Sequence, residues 1–234
     1  KSLADVQQRL GMYWANHFST IGLVGMEEAC LNLFGRQGSL VTQTGQEFAL
    51  RVLDRLRELI SGFQNDTGNF YNLEATPAEG ASYRLAHLDL LQYPDIITAG
   101  ENVGYYTNSS QLPVGYTSDL FETLEKQDAL QCKYTGGTVL HLYLAQRIRD
   151  VEVAKQLVKT TFRGYKLPYL SLTPTFSTCK NHGYLDGEVE QCPLCGSATE
   201  VWTRVVGYLR PKQDFHPGKQ EEHRQRTFYT VQVS

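Results

Sequence analysis

The feature that most constrains this chain is a pair of ligand-like dipeptide spacings near its C-terminal end, Cys179-Lys180-Asn181-His182 and Cys192-Pro193-Leu194-Cys195. Two intervening residues let a tight turn aim both side chains of a pair at one ion, and Gly196 suits the positive φ that such a turn uses. Nine residues, including Gly183 and Gly187, separate the pairs and allow them to close on each other. Three thiolates and an imidazole suit tetrahedral Zn²⁺. With all four positions filled by protein there is no open coordination site, so Cys179, His182, Cys192 and Cys195 are expected to hold a structural metal. A redox pair at Cys192 and Cys195 is the rival reading, and it leaves the first pair unexplained. Five cysteines make an odd count for a disulfide framework and point to a reducing cytoplasm.

Upstream of the cluster the pattern alternates between helix and strand, as a layered α/β protein does. Apolar residues at helical spacing predict one amphipathic helix over 3–18, a second over 26–34 closed by Gly35, and a long one opening at Thr44 with Phe48, Val52, Leu56, Ile60 and Phe63 on one stripe. Residues 69–73 read as a strand. Thr76-Pro77-Ala78-Glu79 then has an N-cap, a proline at the first helical position and a carboxylate three after the cap, followed by helix over 83–91. Residues 105–108 read as extended, 118–130 as helix, 137–144 as strand, 150–162 as helix and 168–176 as strand. Gly, Cys, Pro and His crowd together near Cys179, and this marks a division into 1–176 and 177–234.

Composition narrows the function classes. The chain has 234 residues, 41% hydrophobic and 20% charged, which is globular and large enough for a sizeable core. A net charge of −3 offers no broad cationic face, so a nucleic-acid polymer is not expected as a partner. No apolar run approaches the roughly 18 residues of a membrane helix, and no secretory signal precedes Lys1-Ser2-Leu3. A start without Met fits a piece of something longer.

After the cluster come Thr203-Arg204-Val205-Val206-Gly207-Tyr208-Leu209, then Pro217-Gly218-Lys219, Glu221, Glu222 and Arg226. This resembles a glycyl-radical motif, and with the preceding Cys/His cluster it resembles the C-terminal part of an anaerobic, class III ribonucleotide reductase. Residues 19–22, 71–80, 106–110 and 134–138 look like the same family, so the resemblance spans essentially the whole chain. It implies the second half of a glycyl-radical-enzyme α/β barrel over 1–176 and a zinc-binding, radical-loop domain over 177–234. It also implies that Gly207 carries a radical installed by an activase with an iron–sulfur cluster and S-adenosylmethionine. That radical would make a thiyl radical on a cysteine, which takes the 3′ hydrogen of a ribonucleotide so that the 2′-hydroxyl leaves. The family's thiyl cysteine and effector sites lie before the region covered, so an N-terminal part of the same enzyme is expected as a partner, with a ribonucleoside triphosphate as substrate and a homodimer as the assembly. His182 departs from the family, where a cysteine is usual.

Glycine suits a backbone radical for a physical reason. The Cα centre must flatten to share its spin with the flanking amide nitrogen and carbonyl, and a Cβ would crowd that plane. A radical glycine should therefore sit on a loop reaching inward, shielded among Val205, Val206, Tyr208 and Leu209. The alternative for Gly207 is an ordinary bend in a hairpin.

On the substrate side, the turn carrying Thr76, Gly80 and Ser82 leads into a helix N-terminus whose amides favour phosphate, although plain capping explains the same residues. Glu74 at the strand's end is a candidate acid or base toward a ribose hydroxyl, or a solvated carboxylate. Asn108, Ser109 and Ser110 offer hydrogen bonds to base or sugar, or simply build a turn. Cys30 and Cys132 read as packing residues, His17, His87 and His141 as packed or surface histidines, and Arg147 and Arg149 as solvated. Two other functions remain open: another glycyl-radical enzyme of the formate-lyase or dehydratase type, and a zinc-ribbon interaction module without radical chemistry.

Overall fold

The computed structural model describes residues 3–14 and 16–230. Its first helix, α1 (Ala4–Leu10), is shorter than the apolar spacing predicts. Gly11 adopts φ 75 and returns its N–H to the Gln7 carbonyl, closing the helix with a left-handed residue. Trp14 and Phe18, expected on the helix's buried face, are 70% and 62% exposed, and Phe18 instead opens a strand. Ala15, within the predicted helix, lies outside the described residues.

That strand, β1 (Phe18–Leu23), leads through α2 (Met26–Phe34) and α3 (Gln43–Thr67) to β2 (Phe70–Ala75), which pairs with β1 in parallel from Phe18↔Phe70 to Leu23↔Ala75. Helices between two parallel strands make a crossover unit, as the alternating pattern required. The Thr42 hydroxyl accepts from Gly45 N–H at the start of α3, and Gly68 at φ 68 ends it. Ala49, Leu53 and Ile60 bury its apolar stripe against Leu73 and Ala75 of β2. The helix α4 (Glu79–Gln92) follows, and an irregular segment then runs to α5 (Leu120–Gln131), capped by the Asp119 carboxylate. A second parallel pair, β3 (Leu140–Leu144) and β4 (Leu170–Pro174), encloses α6 (Val151–Gly164). Leu124, Leu142 and Leu157 pack in its core.

The rest of the chain changes architecture. β5 (Phe176–Cys179), β6 (Gly183–Asp186), β7 (Glu200–Val205) and β8 (Tyr208–Pro211) form an antiparallel sheet in the order β6-β5-β7-β8, followed by α7 (Pro217–Gln225). α7 packs beside α4, and Tyr229 bridges to Leu144, so the C-terminal segment returns onto the α/β portion. Arg147 and Arg149 are exposed, as expected, and both also reach Asp186 of β6, at 3.1 and 2.6 Å. Among the described residues no helix is long and apolar enough to cross a membrane.

Candidate active site and metal-ligand cluster

A cleft opens where the ends of β2, β3 and β4 meet the irregular segment before α5 and the β7–β8 hairpin. Asn108, Ser109, His141, Arg204 and Gly207 are on its wall. Three of the residues singled out from sequence, Asn108, Ser109 and Gly207, thus come from distant parts of the chain to one cavity. Ala75 and Pro77 line it as well, whereas Glu74, Thr76, Gly80 and Ser82 do not.

The β2-to-α4 connection explains that difference. Thr76 does not cap the helix: α4 begins two residues later than that cap predicts, after Ala78 at φ 42, and no side chain caps its first amides. Ser82 is fully buried and its hydroxyl donates to the Glu79 carbonyl. A Cβ built at Gly80 would have only His216 Cδ2 near it, at 3.9 Å, so this part of the turn is open. Glu74 is half-buried behind the Gly136–Gly137 turn, where a Cβ on Gly137 would fall 2.2 Å from its Cγ. The Thr135 and Gly136 amides both donate to the Leu73 carbonyl, holding that turn against β2.

Gly207 sits with Val206 in the two-residue turn between Val205 and Tyr208, the last pair of the β7–β8 ladder. Arg204 Nη1 donates to the Gly207 carbonyl at 2.8 Å, and Arg204 Nε is held by Thr173 Oγ1 of β4 at 3.0 Å. Val205 and Val206 are buried, but Tyr208 and Leu209 are 63% and 48% exposed, so this chain by itself covers only one side of the turn. Shielding on both sides, expected from the apolar neighbours, is not achieved here because β8 is the edge strand of the β6-β5-β7-β8 sheet and is paired on its β7 side alone among the described residues.

Sequence reading did not find the polar cluster beneath the cleft. Lys219, Glu222 and Arg226 project from α7 and its C-terminal end and are almost completely buried. Glu222 accepts from Lys219 Nζ and from Arg226 Nη2, the latter at 2.7 Å. Burial alone would raise the Glu222 carboxyl, but the two cations outweigh it and hold it down at about 2. Arg226 also stacks over Tyr143 at 3.8 Å and donates to the Arg204 carbonyl at 3.1 Å. His141, on the cleft wall, is pushed down to about 4 by burial and by Arg204 and Arg226, so it is neutral near pH 7, with Nδ1 2.6 Å from Ser171 Oγ. Lys219, Glu222 and Arg226 stood in the sequence as part of the stretch that carries the family resemblance, but their i, i+3 and i, i+4 spacing was not read as an ionic cluster.

The four predicted metal ligands converge. Their ligand atoms all lie within 4.8 Å of one another. Cys179 Sγ is 3.7 Å from Cys195 Sγ and 3.8 Å from His182 Nδ1, and Cys192 Sγ is 3.4 Å from His182 Nδ1. Tetrahedral Zn²⁺ with Zn–S of about 2.3 Å and Zn–N of about 2.0 Å requires S···S near ~3.7 Å and S···N near ~3.5 Å. The donor set and spacing therefore fit that ion. The cysteines are free thiols. β5 and β6 carry the first pair at their hairpin, and Gly183, Gly187 and Gly196 all adopt positive φ around the site.

Comparison with known proteins gives the family. Residues 1–229 match the family model described as anaerobic ribonucleoside-triphosphate reductase. The chain is 24% identical over 219 residues to the anaerobic ribonucleoside-triphosphate reductase of Escherichia coli (strain K12), an alignment covering 88% of this chain and 30% of that protein. A solved structure of an anaerobic ribonucleotide reductase superposes with a TM-score of 0.76 at 25% identity, covering 92% of this chain and 35% of that one. The Thermotoga maritima anaerobic ribonucleotide reductase in complex with dATP and CTP gives a TM-score of 0.70 at 25% identity, with 90% and 34% covered. The chain thus spans about a third of the length of the proteins it matches.

Proposed function

Because the chain belongs to the anaerobic ribonucleoside-triphosphate reductase family, we propose that it is the portion carrying the radical glycine of an enzyme that reduces ribonucleoside triphosphates to deoxyribonucleotides. The observation that carries this reading is the unforced glycine at position 207. A fold selects glycine where φ is positive or where another atom leaves no room for a Cβ. Gly207 has neither: its φ lies outside the left-handed range, and nothing lies within 4 Å of a built Cβ. The fold thus supplies no steric reason for glycine there, and a Cα radical shared between amide nitrogen and carbonyl supplies a chemical one.

In this reading the spin at Gly207 passes to a cysteine outside this chain, which draws the 3′ hydrogen from the ribose. Loss of the 2′-hydroxyl follows, and formate or a dithiol protein supplies the two electrons. Arg204 holds the Gly207 carbonyl at the cleft. Asn108 and Ser109 face the nucleotide across it. The uncapped amides at the start of α4, with Thr76 and Gly80 beside them, receive the phosphates, while the buried Ser82 hydroxyl closes that turn. Glu74 exchanges a proton with a ribose hydroxyl once the strand's outer side is completed by the rest of the enzyme. Cys179, His182, Cys192 and Cys195 hold a structural Zn²⁺ that braces the sheet bearing the radical hairpin.

The parallel pairs β1–β2 and β3–β4 are read as part of a barrel closed by the N-terminal portion of the enzyme, with 177–234 as the metal and radical domain. The exposed outer side of Tyr208 and Leu209 is then covered by that portion. An iron–sulfur, S-adenosylmethionine-dependent activase installs the radical, and the enzyme works as a cytoplasmic homodimer.

The test uses the full-length protein containing this chain, activated without oxygen and given CTP with formate or a dithiol reductant. Deoxycytidine nucleotide should form, and the Gly207→Ala protein should fall to background. Equal turnover by Gly207→Ala would remove the radical role and favour a zinc-braced binding module.

A further inference from the structure

Lys219 is fully buried, and among the described residues its ammonium hydrogen-bonds, outside its own helix, to Asn108. Its Nζ lies 2.8 Å from Asn108 Oδ1, 111 positions away in sequence. An ammonium has three donors and no acceptor, so only the amide oxygen can face it. This fixes the Asn108 amide in one of its two orientations. The Nδ2 hydrogens are consequently directed away from Lys219, and Asn108 is one of the residues that line the cleft.

A buried ammonium is costly unless it is paired, and α7 could pack against its neighbours with an apolar residue at this position. The charge is balanced by Glu222, which Arg226 also holds, and Arg226 is anchored in turn to the Arg204 carbonyl of β7. The ammonium is thus placed by a rigid ionic cluster before it meets Asn108. We propose that Lys219 is a positioning residue that presents the Asn108 amide N–H donors to the cleft, so that the substrate group seated there is an acceptor oxygen of the ribose or base.

The proposal rests on the reading of this cleft as the nucleotide site, and the experiment separates the two. CTP binding is measured by calorimetry on the full-length protein before activation, for wild type, Asn108→Asp, Lys219→Met and the double variant. Asn108→Asp still accepts from Lys219 but puts an oxygen where the donor was, so affinity should fall about tenfold or more. Lys219→Met retains the Glu222–Arg226 pair and frees the amide to turn, so affinity should fall about threefold. In the Lys219→Met background, Asn108→Asp should cost clearly less than it does alone, because the amide there is already free to turn and no longer holds its N–H donors in one direction. A lysine that merely packs α7 would give independent effects. Failure of wild type to bind CTP overturns the nucleotide reading and this proposal together. Wild-type binding with unchanged affinity in Asn108→Asp overturns the proposal alone, and so do additive effects in the double variant. Should Lys219→Met not fold, Asn108→Asp, with its lysine still paired, decides the matter.

Discussion

Val206 takes the left-handed conformation, φ 43, that its neighbour Gly207 leaves unused. A β-branched residue there costs of order 1–3 kcal/mol, and it is kept in place by burial of its own side chain and by Arg204 holding the next carbonyl. Glycine's conformational freedom is therefore not spent at 207. Gly207→Ala should change stability by less than about 0.5 kcal/mol, since its φ is ordinary and the space is open. Val205→Ala, at a fully buried position of the same hairpin, should cost about 1.5–2.5 kcal/mol. Chemical denaturation of the two variants checks the contrast, which matters because it makes loss of function in Gly207→Ala a chemical result.

Removal of the metal should act locally. One zinc per chain is expected by elemental analysis, falling to none in Cys192→Ser/Cys195→Ser. Chelation should accelerate amide exchange through β5, β6 and β7, where thiolates would otherwise face one another without a cation, and leave α3 and β2 protected. Metal retained in the double variant would contradict the ligand assignment.

The cluster was legible because metal ligands are specified by residue type at short spacing, and the helices 43–67, 120–131 and 151–164 because long stripes and the Asp119 and Asp150 caps act locally, although the first of them starts just before the expected Thr44, after a Thr42 cap. The end of α1 was missed because apolar periodicity continues past Gly11, whose left-handed turn overrides it. The α4 start was misplaced because a capping box at Thr76 and Glu79 competes with the pairing of β2 to the 135–136 turn, which keeps the chain extended to Ala75. The Lys219–Glu222–Arg226 cluster was illegible as a buried group. Only tertiary packing against Asn108, Tyr143 and Arg204 removes these charges from water, and nothing local to α7 records those partners.

Acid and base should act on different groups. Burial pushes the Glu28 carboxyl up to about 7, against the Thr107 hydrogen bonds that lower it. The folded group is thus protonated where the unfolded one, near 4.5, is charged. Its contribution is complete below pH ~4.5 and is lost as pH rises through ~7, at about 1.4 kcal/mol per unit of displacement. His141, lowered to about 4, contributes fully above pH ~6.5 and loses that as pH falls toward ~4. Glu222, held at about 2, loses its share between pH ~4.5 and ~2. Glu28→Gln, which imposes the neutral form, should flatten the stability profile between pH ~5 and ~7 and leave the acid limb in place. An unchanged profile would show that Glu28 is ionised in the fold.

Activation should place the unpaired electron on Gly207. Full-length protein, prepared with glycine deuterated at Cα and activated anaerobically with its activase and S-adenosylmethionine, should be examined by electron paramagnetic resonance beside unlabelled protein. A radical on Gly207 gives a doublet from its single Cα hydrogen in unlabelled protein, collapse to a singlet on deuteration, and no signal in Gly207→Ala. A doublet that persists in Gly207→Ala, or splitting indifferent to deuterated glycine, would place the electron elsewhere and contradict the account.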